Sequence, residues 1–414
     1  MPEGEVNLCL NGQTINGKIT IGSGRGQGEV TVNGKFELYS GTITGGVQVG
    51  IKGSAYQTGS SFTMYGGEIT GNKAGSGGGG VFLVGTTNQT DPPRFTMHGG
   101  TISDNTAGAS DGGGGGVYVG EKCSFTMDGG AITGNKATAG NGGGIYIHFN
   151  AGTVSISNAT ITGNKASATG NTSYGHGGGI YSERGVTVEN VTITGNNSTF
   201  EGGGIYGKGA ITLTDATVTD NSQYDVYYDG RESNTPELTI SGSVKAGYYA
   251  NEAWKLPILV SGALREDSVI RVGVREGINL GAIAEPASGV TLSAENFKAD
   301  AADCVTSLGD DGKVYLVPCT HEMDDTGYTC KKCHTQFDAR VGDSAYYQTL
   351  TKAFDAARGN TVTLLRDVTL AGNCSSSYTY SATLDLNGKT VSSERYYISV
   401  GGGNKPRTLT VKDS

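Results

Sequence analysis

Between Phe36 and Asn221 the chain repeats one order of apolar and polar positions. An apolar–polar–apolar triplet, a short turn, a second run with its apolar residue in the middle and a closing Asn recur six times. The copies are FTMYGGEITGN from Phe62, FTMHGGTISDN from Phe95, FTMDGGAITGN from Phe125, VSISNATITGN from Val154, VTVENVTITGN from Val186 and ITLTDATVTDN from Ile211. An earlier copy, FELYSGTITGG, opens at Phe36. Successive copies start 26, 33, 30, 29, 32 and 25 residues apart, yet the distance from first residue to Asn is constant in the six that have it. Segments of fixed length joined by loops of free length predict a solenoid of stacked coils.

Each copy carries three short runs, in the Phe125 copy Phe125–Met127, Ala131–Thr133 and Ile145–Ile147. Alternation over so few residues is the period of a strand with one side chain inward and the next outward, and the intervening Gly-Gly or Gly-Asn excludes helix. The expected fold class is all-β: a right-handed parallel β-helix with three short strands per coil, each paired with its counterpart about 4.8 Å away on the next coil. Asn72, Asn105, Asn135, Asn164, Asn196 and Asn221 are expected to form one structural column that passes amide hydrogen bonds from coil to coil. The glycine runs ending at Gly80, Gly116, Gly144, Gly179 and Gly204 read as corners entering a strand, with none of the strand-to-helix pattern of a phosphate loop.

"GGGIY" and "ITGN" are similar to the repeats of polymorphic outer-membrane proteins, with Ile or Val here where that family has Phe. "LDLNGKTV", "TITGN", "GGGIY" and a Cys/His segment occur together over nearly the full length. That combination resembles large repetitive surface proteins of gut-dwelling Gram-positive bacteria. The resemblance implies an adhesin or scaffold, secreted or at the cell surface in the parent protein, and brings no catalytic residues with it.

Residues 1–230 are thus the repeat tract. Residues 231–318, with fewer glycines and more charge, read as closing coils and a cap, with an end-covering loop around 276–289 and the single Trp254 as its packing anchor. Residues 319–341 hold Cys319, His321, Cys330 and Cys333 in the spacing C-x-H-x8-C-x2-C. Three thiolates and an imidazole so placed can close a tetrahedron around a structural zinc ion; a linker with free thiols, or a Cys330–Cys333 disulfide, is the alternative. Residues 342–414 open with Tyr346, Leu350, Ala353, Phe354 and Ala357 at helical spacing, Ser344 as N-cap and Gly359 as stop, followed by the first coils of a second, truncated unit. "LCLNGQTI" at Leu8–Ile15 and "LDLNGKTV" at Leu384–Val391 mark the same place in two tandem units. On this reading the first coil lacks its plugging helix, and its open edge favours head-to-tail self-association.

Composition narrows the function. Gly is 71 of 414 residues, but with 8 Pro and no Gly-X-Y period the chain is not collagen. A net charge of −9 with no basic run argues against a nucleic-acid partner, and no long apolar stretch spans a membrane. The N-terminal MPEGEVNLCL has no signal-peptide pattern, and seven thinly spread cysteines are not a disulfide scaffold. A polysaccharide lyase or glycosidase needs paired acids, whereas Asp104, Asp111, Asp128, Glu189, Glu201, Asp215, Asp220 and Asp225 fall in different columns; only Asp220, Asp225 and Asp229 lie near one another. Rows of Thr-x-Thr, as at Thr160–Thr162 and Thr192–Thr194, raise ice binding as a minor alternative, interrupted at Glu68, Ser103 and Ala131. The favoured expectation is a non-catalytic, adhesin-like surface protein. Its long insertions, 83–94 and 167–176, offer Asn88, Gln89, Arg94, Tyr174 and His176 to a host glycan or to a host protein such as mucin, immunoglobulin or matrix protein.

Overall fold

The constant spacing within each copy becomes a constant register between strands. Phe62, Phe95 and Phe125 are direct partners on adjacent strands, as are Met64, Met97 and Met127, and the pairing is parallel. The same holds for Ile69, Ile102, Ile132, Ile161 and Ile193 in the second column of strands. The computed structural model describes residues 4–22, 30–32, 34–50, 59–75, 77–86, 91–108, 113–168, 174–229, 238–250, 257–274, 281–300, 304–343, 345–375, 380–399 and 407–414. It is all-β, with a parallel β-solenoid of about 12 turns.

A coil of the repeat tract holds four strands, one more than the sequence pattern predicts. Lys73–Ala74, Thr106–Ala107, Lys136–Ala137, Lys165–Ala166 and Asn197–Ser198 follow the asparagines and pair into a five-stranded parallel sheet of their own. Two-residue strands carry no periodicity from which to read them.

The inward residues of the three longer strand columns merge into one continuous core. Phe36, Phe62, Phe95 and Phe125 stack ring on ring at centroid separations of 5.5, 4.8 and 5.1 Å, and Val154, Val186 and Ile211 continue the column beyond them. Each such side chain contributes about 1.5–3 kcal/mol by leaving water. The glycine runs are steric necessities. A Cβ on Gly142 (φ +67°) would lie 2.3 Å from the Ile145 carbonyl oxygen, and one on Gly143 would lie 2.4 Å from the backbone of Lys165 on the next coil.

The six asparagines form an unbroken ladder. The Asn135 side chain donates to Asn164 Oδ1 (3.0 Å) and to the Ile102 carbonyl (2.9 Å), while its own Oδ1 accepts from the Asn105 backbone (3.0 Å) and side-chain amides (2.9 Å). The pattern repeats from Asn72 to Asn221. Its lower end is closed by Asp225, whose Oδ1 accepts from the Asn221 backbone (3.0 Å) and side chain (3.1 Å). Asp225 Oδ2 takes the Gly247 amide (3.1 Å) and Arg271 (3.0 Å). At the upper end the preceding copy has Gly46 instead of Asn, and the buried Asn72 Oδ1 has no hydrogen-bond donor among the described residues.

Contacts divide the chain into two units, Met1–Ala301 with Thr306–Leu316 and Ala302–Val305 with Val317–Ser414. Ile211–Thr214 pairs directly with Leu238–Gly242, so the sheet of the repeat tract continues into the closing coils. Beyond that point the coil simplifies. The strand Lys245–Ala250 pairs with both Thr217–Val218 and Val226–Tyr228, so two columns fuse and the Asn corner disappears. The expected covering loop at 276–289 is in part a coil strand: Ala282–Pro286 lies parallel to Ile258–Val260 and antiparallel to Val314–Pro318. Trp254 lies outside the described residues.

In the second unit an antiparallel hairpin, Ala339–Val341 with Ala345–Tyr347, leads to helix α1 (Leu350–Ala357) and then to parallel strands Thr361–Leu364, Ala382–Asp385 and Leu409–Lys412. The helix is shorter than its apolar stripe predicts. Tyr346 belongs to the hairpin, Ser344 lies outside the described residues, and the N-cap is Thr349, whose Oγ1 accepts from the Lys352 amide at 3.2 Å. Adjacent tyrosines favour a strand, and the backbone amide of Asp338 holds the Tyr347 carbonyl at 2.9 Å. Among the described residues no helix is long and apolar enough to cross a membrane.

The ladder makes a graded prediction. Asn135→Ala strands buried donors and acceptors on both neighbouring coils and should destabilise the solenoid by about 3 kcal/mol or more. Asn72→Ala, at the open end, should cost clearly less. Urea denaturation of the two variants followed by far-ultraviolet circular dichroism checks the order.

Candidate metal centre

Residues 319–333 reach a compact geometry through local turns. Asp324 Oδ1 accepts from the Thr326 amide (2.9 Å), and the Gly327 amide returns to the Asp324 carbonyl (3.0 Å), which reverses the chain. The reversal pairs Met323 with Cys330 and Thr329 with Gln336 in antiparallel bridges. Past Cys330 the chain folds into a tight knuckle: the Lys332 amide donates to Cys330 Sγ (3.4 Å), and the His334 amide to the Cys330 carbonyl (2.9 Å) with His334 in the left-handed region at φ +55°. A two-residue separation therefore turns both sulfurs to one side.

The donor atoms of Cys319, His321, Cys330 and Cys333 all lie within 4.8 Å of one another, a cluster that can hold a metal ion. Cys319 Sγ and Cys330 Sγ are 3.7 Å apart, and Cys333 Sγ and His321 Nδ1 are 3.6 Å apart. A tetrahedral ion with metal–sulfur bonds of about 2.3 Å and metal–nitrogen bonds of about 2.0–2.1 Å requires separations of about 3.8 Å and about 3.6 Å. A disulfide requires sulfurs at about 2.05 Å, and both Cys330 and Cys333 are free thiols. Neighbouring His334 is not a member of the cluster.

The surroundings set the charge of the donors. Burial, helped by the Cys333 and Cys330 thiols, pushes the Cys319 thiol up to about 12. Burial also opposes ionisation of Cys330, but backbone groups of Cys333, Glu322 and Lys332 and the His321 side chain outweigh it and bring this thiol down to about 6. Thiolate is the form that binds a cation, so loading the cluster releases the protons its thiols still hold. An apolar shell holds the donors in place. Cys319, Cys330 and Phe337 are buried together with Val305, Met323, Tyr346 and Leu365 against them, and the His321 ring meets Phe337 edge-on at 4.7 Å. Phe337, Tyr346 and Leu365 come from at or beside the hairpin and the strand after α1, too far along the chain for spacing to reveal them.

The candidate contact residues fall in different settings. Arg94 opens a first-column strand, is half exposed and pairs with Asp91. Tyr174 is partly buried. His176 is buried, 4.6 Å from the Tyr206 ring and with Nδ1 3.0 Å from Glu201. Asn88 and Gln89 lie outside the described residues. The repeat motif conceals two aromatic rows. Tyr118, Tyr146, Tyr181, Tyr206 and Tyr227, the residue after the aliphatic one in "GGGIY" and its variants, stack at 4.9–5.4 Å beneath the glycine corners. Tyr39, Tyr65 and His98, the residue after each "FTM" or its equivalent, stack at 4.8 and 5.0 Å with their edges in solvent. No protein-family model, curated protein or solved structure matches this chain.

Protein purified without chelator is expected to carry about one equivalent of a divalent metal, which Cys330→Ser removes. Because protons compete for the thiolates, the affinity should rise with pH between about 6 and 8. Elemental analysis and a competitive chelator titration at several pH values check both.

Proposed function

We propose that the chain is a non-catalytic, adhesin-like surface protein. Its solenoid fixes the spacing of loops that contact a host glycan or glycoprotein, and its Cys/His cluster is a structural zinc site. Three soft thiolates and one imidazole at tetrahedral spacing suit zinc better than a hard cation, and four protein donors leave no position for a reactive water. The insertions at 83–94 and 167–176 leave the solenoid from corners whose strands are held in register with their neighbours, so their feet keep a set separation.

The observation that carries the non-catalytic reading is where the acids go. Asp225 closes the Asn ladder, Asp229 accepts from the Tyr206 hydroxyl (2.6 Å), Glu183 from the Tyr146 hydroxyl (2.9 Å), and Asp128 pairs with His98 (2.7 Å). Asp104, Asp215 and Asp220 occupy left-handed corners with φ of +52°, +47° and +58°. In one of the Thr rows, hydroxyls meet between coils, Thr133 with Thr162 (3.2 Å) and Ser103 with Thr70 (2.9 Å). Among the described residues, a cleft of about 160 Å³ that could serve the rival polysaccharide-cleaving reading is lined by Tyr224, Asp225, Tyr248, Arg271 and Asp300. There, shielding from water raises the Asp300 carboxyl while Arg271 opposes the rise.

A glycan array probed with the intact chain tests the proposal. The expected outcome is binding that falls about tenfold or more when the two insertions are shortened to the length of their neighbours, a loss of about 1.4 kcal/mol. No turnover of pectins, glycosaminoglycans or mucin glycans is expected; cleavage abolished by Asp300→Asn would replace the binding reading with the enzymatic one. Metal analysis that finds a metal other than zinc would correct the site's assignment alone.

A further inference from the structure

The solenoid changes cross-section at one place in its interior. Eight residues, Lys73 to Gly80, lie between Asn72 and Val81, whereas in the coil before it Gly46 runs directly into Val47. Val47 and Val81 are nevertheless direct partners, so the extra corner of the wider coil protrudes as a step. The narrower coil is itself covered, because Ile19–Ile21 pairs with Val47–Val49. At the step, Lys73–Ala74 is the edge of the five-stranded sheet and pairs, among the described residues, with Thr106–Ala107 alone.

Three kinds of group meet no coil here. In the coil below, the Thr106 amide donates to the Asn72 carbonyl (2.8 Å) and the Gly108 amide to the Ala74 carbonyl (2.9 Å). Lys73 and, by continuation of the register, Gly75 hold the same positions one coil up, and among the described residues no strand stands above them to accept from their amides. The second group is Asn72 Oδ1, which belongs to a residue only 4% exposed and has no donor. Later coils place their left-handed corner one residue before the asparagine, at Gly71, Asp104, Gly134, Gly163, Gly195 and Asp220; the narrow coil places it on Gly46 itself (φ +75°), and neither a side chain nor the Gly46 amide reaches the oxygen. The third is the end of the buried aromatic row: Phe82 stacks on Tyr118 below at 5.1 Å and has Gln48 opposite it above.

These groups line one cleft of about 230 Å³, together with Lys18, Gly46 and Lys73, and among the described residues no acid lines it. A ligand that answers all of them gives an N–H to Asn72 Oδ1, accepts a strand-edge amide on a neighbouring carbonyl, sets a small apolar group near Phe82 and brings a negative charge to two lysines. An acetamido group is N–H, carbonyl and methyl in one unit, and a carboxylate supplies the charge. An extended peptide backbone also offers N–H and carbonyl groups but carries no charge to answer the lysines.

We infer that the step between the Gly46 and Asn72 corners is a binding site for an N-acetylated acidic sugar. The acetamido N–H donates to Asn72 Oδ1, its carbonyl accepts from the Lys73 or Gly75 amide, and the carboxylate meets the ammonium groups of Lys18 and Lys73. The inference rests on the glycan-binding reading and adds a site on the solenoid that neither insertion lines.

The test is an NMR titration of the full chain with the methyl glycoside of N-acetylneuraminic acid. The Asn72 side-chain amide and the Lys73 and Gly75 backbone amides should shift saturably, and the analogue with a hydroxyl in place of the acetamido group should bind about tenfold or more weakly, because it leaves buried polar groups unpaired. Lys18→Ala with Lys73→Ala should weaken the acidic sugar about fivefold and change binding of methyl N-acetylglucosaminide by no more than about twofold. Gly46→Asn places the missing amide in a left-handed position that Asn tolerates, and should raise the melting temperature while abolishing binding. The inference is overturned if the hydroxyl analogue binds as well as the parent sugar, if a folded Gly46→Asn variant binds unchanged, or if a capped peptide of sequence NKA binds more tightly than the sugar. Should Gly46→Asn not fold, the double lysine variant and the hydroxyl analogue decide. Shifts confined to the insertions overturn this site and leave the glycan reading standing, whereas failure to bind any glycan on the array removes both.

Discussion

Everything in the solenoid depends on in-register parallel pairing of like with like. A strand of three or four residues has too few hydrogen bonds to define its own partner, and a slip of one residue would turn its apolar side chains to solvent. The Asn ladder removes that freedom. From Asn105 to Asn196 each side-chain amide donates to the next coil and to a carbonyl of the previous one, as Asn135 does to Asn164 and Ile102, so these corners are locked to two neighbours at once. Once the corners are fixed, the aromatic and aliphatic columns on either side have no choice of partner.

The same constraint explains which features the sequence displays openly. A column residue must keep its distance from the corner, so the span from Phe125 to Asn135 cannot vary, and that invariance within one chain is legible without a second sequence. Glycine runs are legible because a Cβ at Gly142 or Gly143 would collide with backbone. The Cys/His cluster is legible because its four donors come from one short stretch whose turns are local.

What the pattern hides is contributed from elsewhere or is too short to be periodic. The Lys136–Ala137 strand has two residues and no alternation. Asp225 ends the ladder from a loop position four residues past Asn221, where nothing in the repeat marks it as the successor of an asparagine. Tyr346 falls on the helical stripe with Leu350 and Phe354, but a hydrogen-bonded hairpin claims it first, and only the pairing with Arg340 reveals this. The shell residues Phe337, Tyr346 and Leu365 of the metal cluster lie at or beside the hairpin and the strand after α1, so C-x2-C spacing locates the donors but not what holds them.

The solenoid ties its Asn column and several of its acids, among them Asp225, Asp229 and Glu183, into hydrogen bonds of its own. The central claim is that the ladder, rather than the strands alone, sets the register, and residue-resolved hydrogen exchange tests it most directly. The account predicts that the backbone amides of Asn105, Asn135, Asn164 and Asn196 exchange in the slowest class, together with those of Ile102, Ile132, Ile161 and Ile193. Corner asparagines that exchange as fast as the loops while the isoleucines stay protected would contradict it.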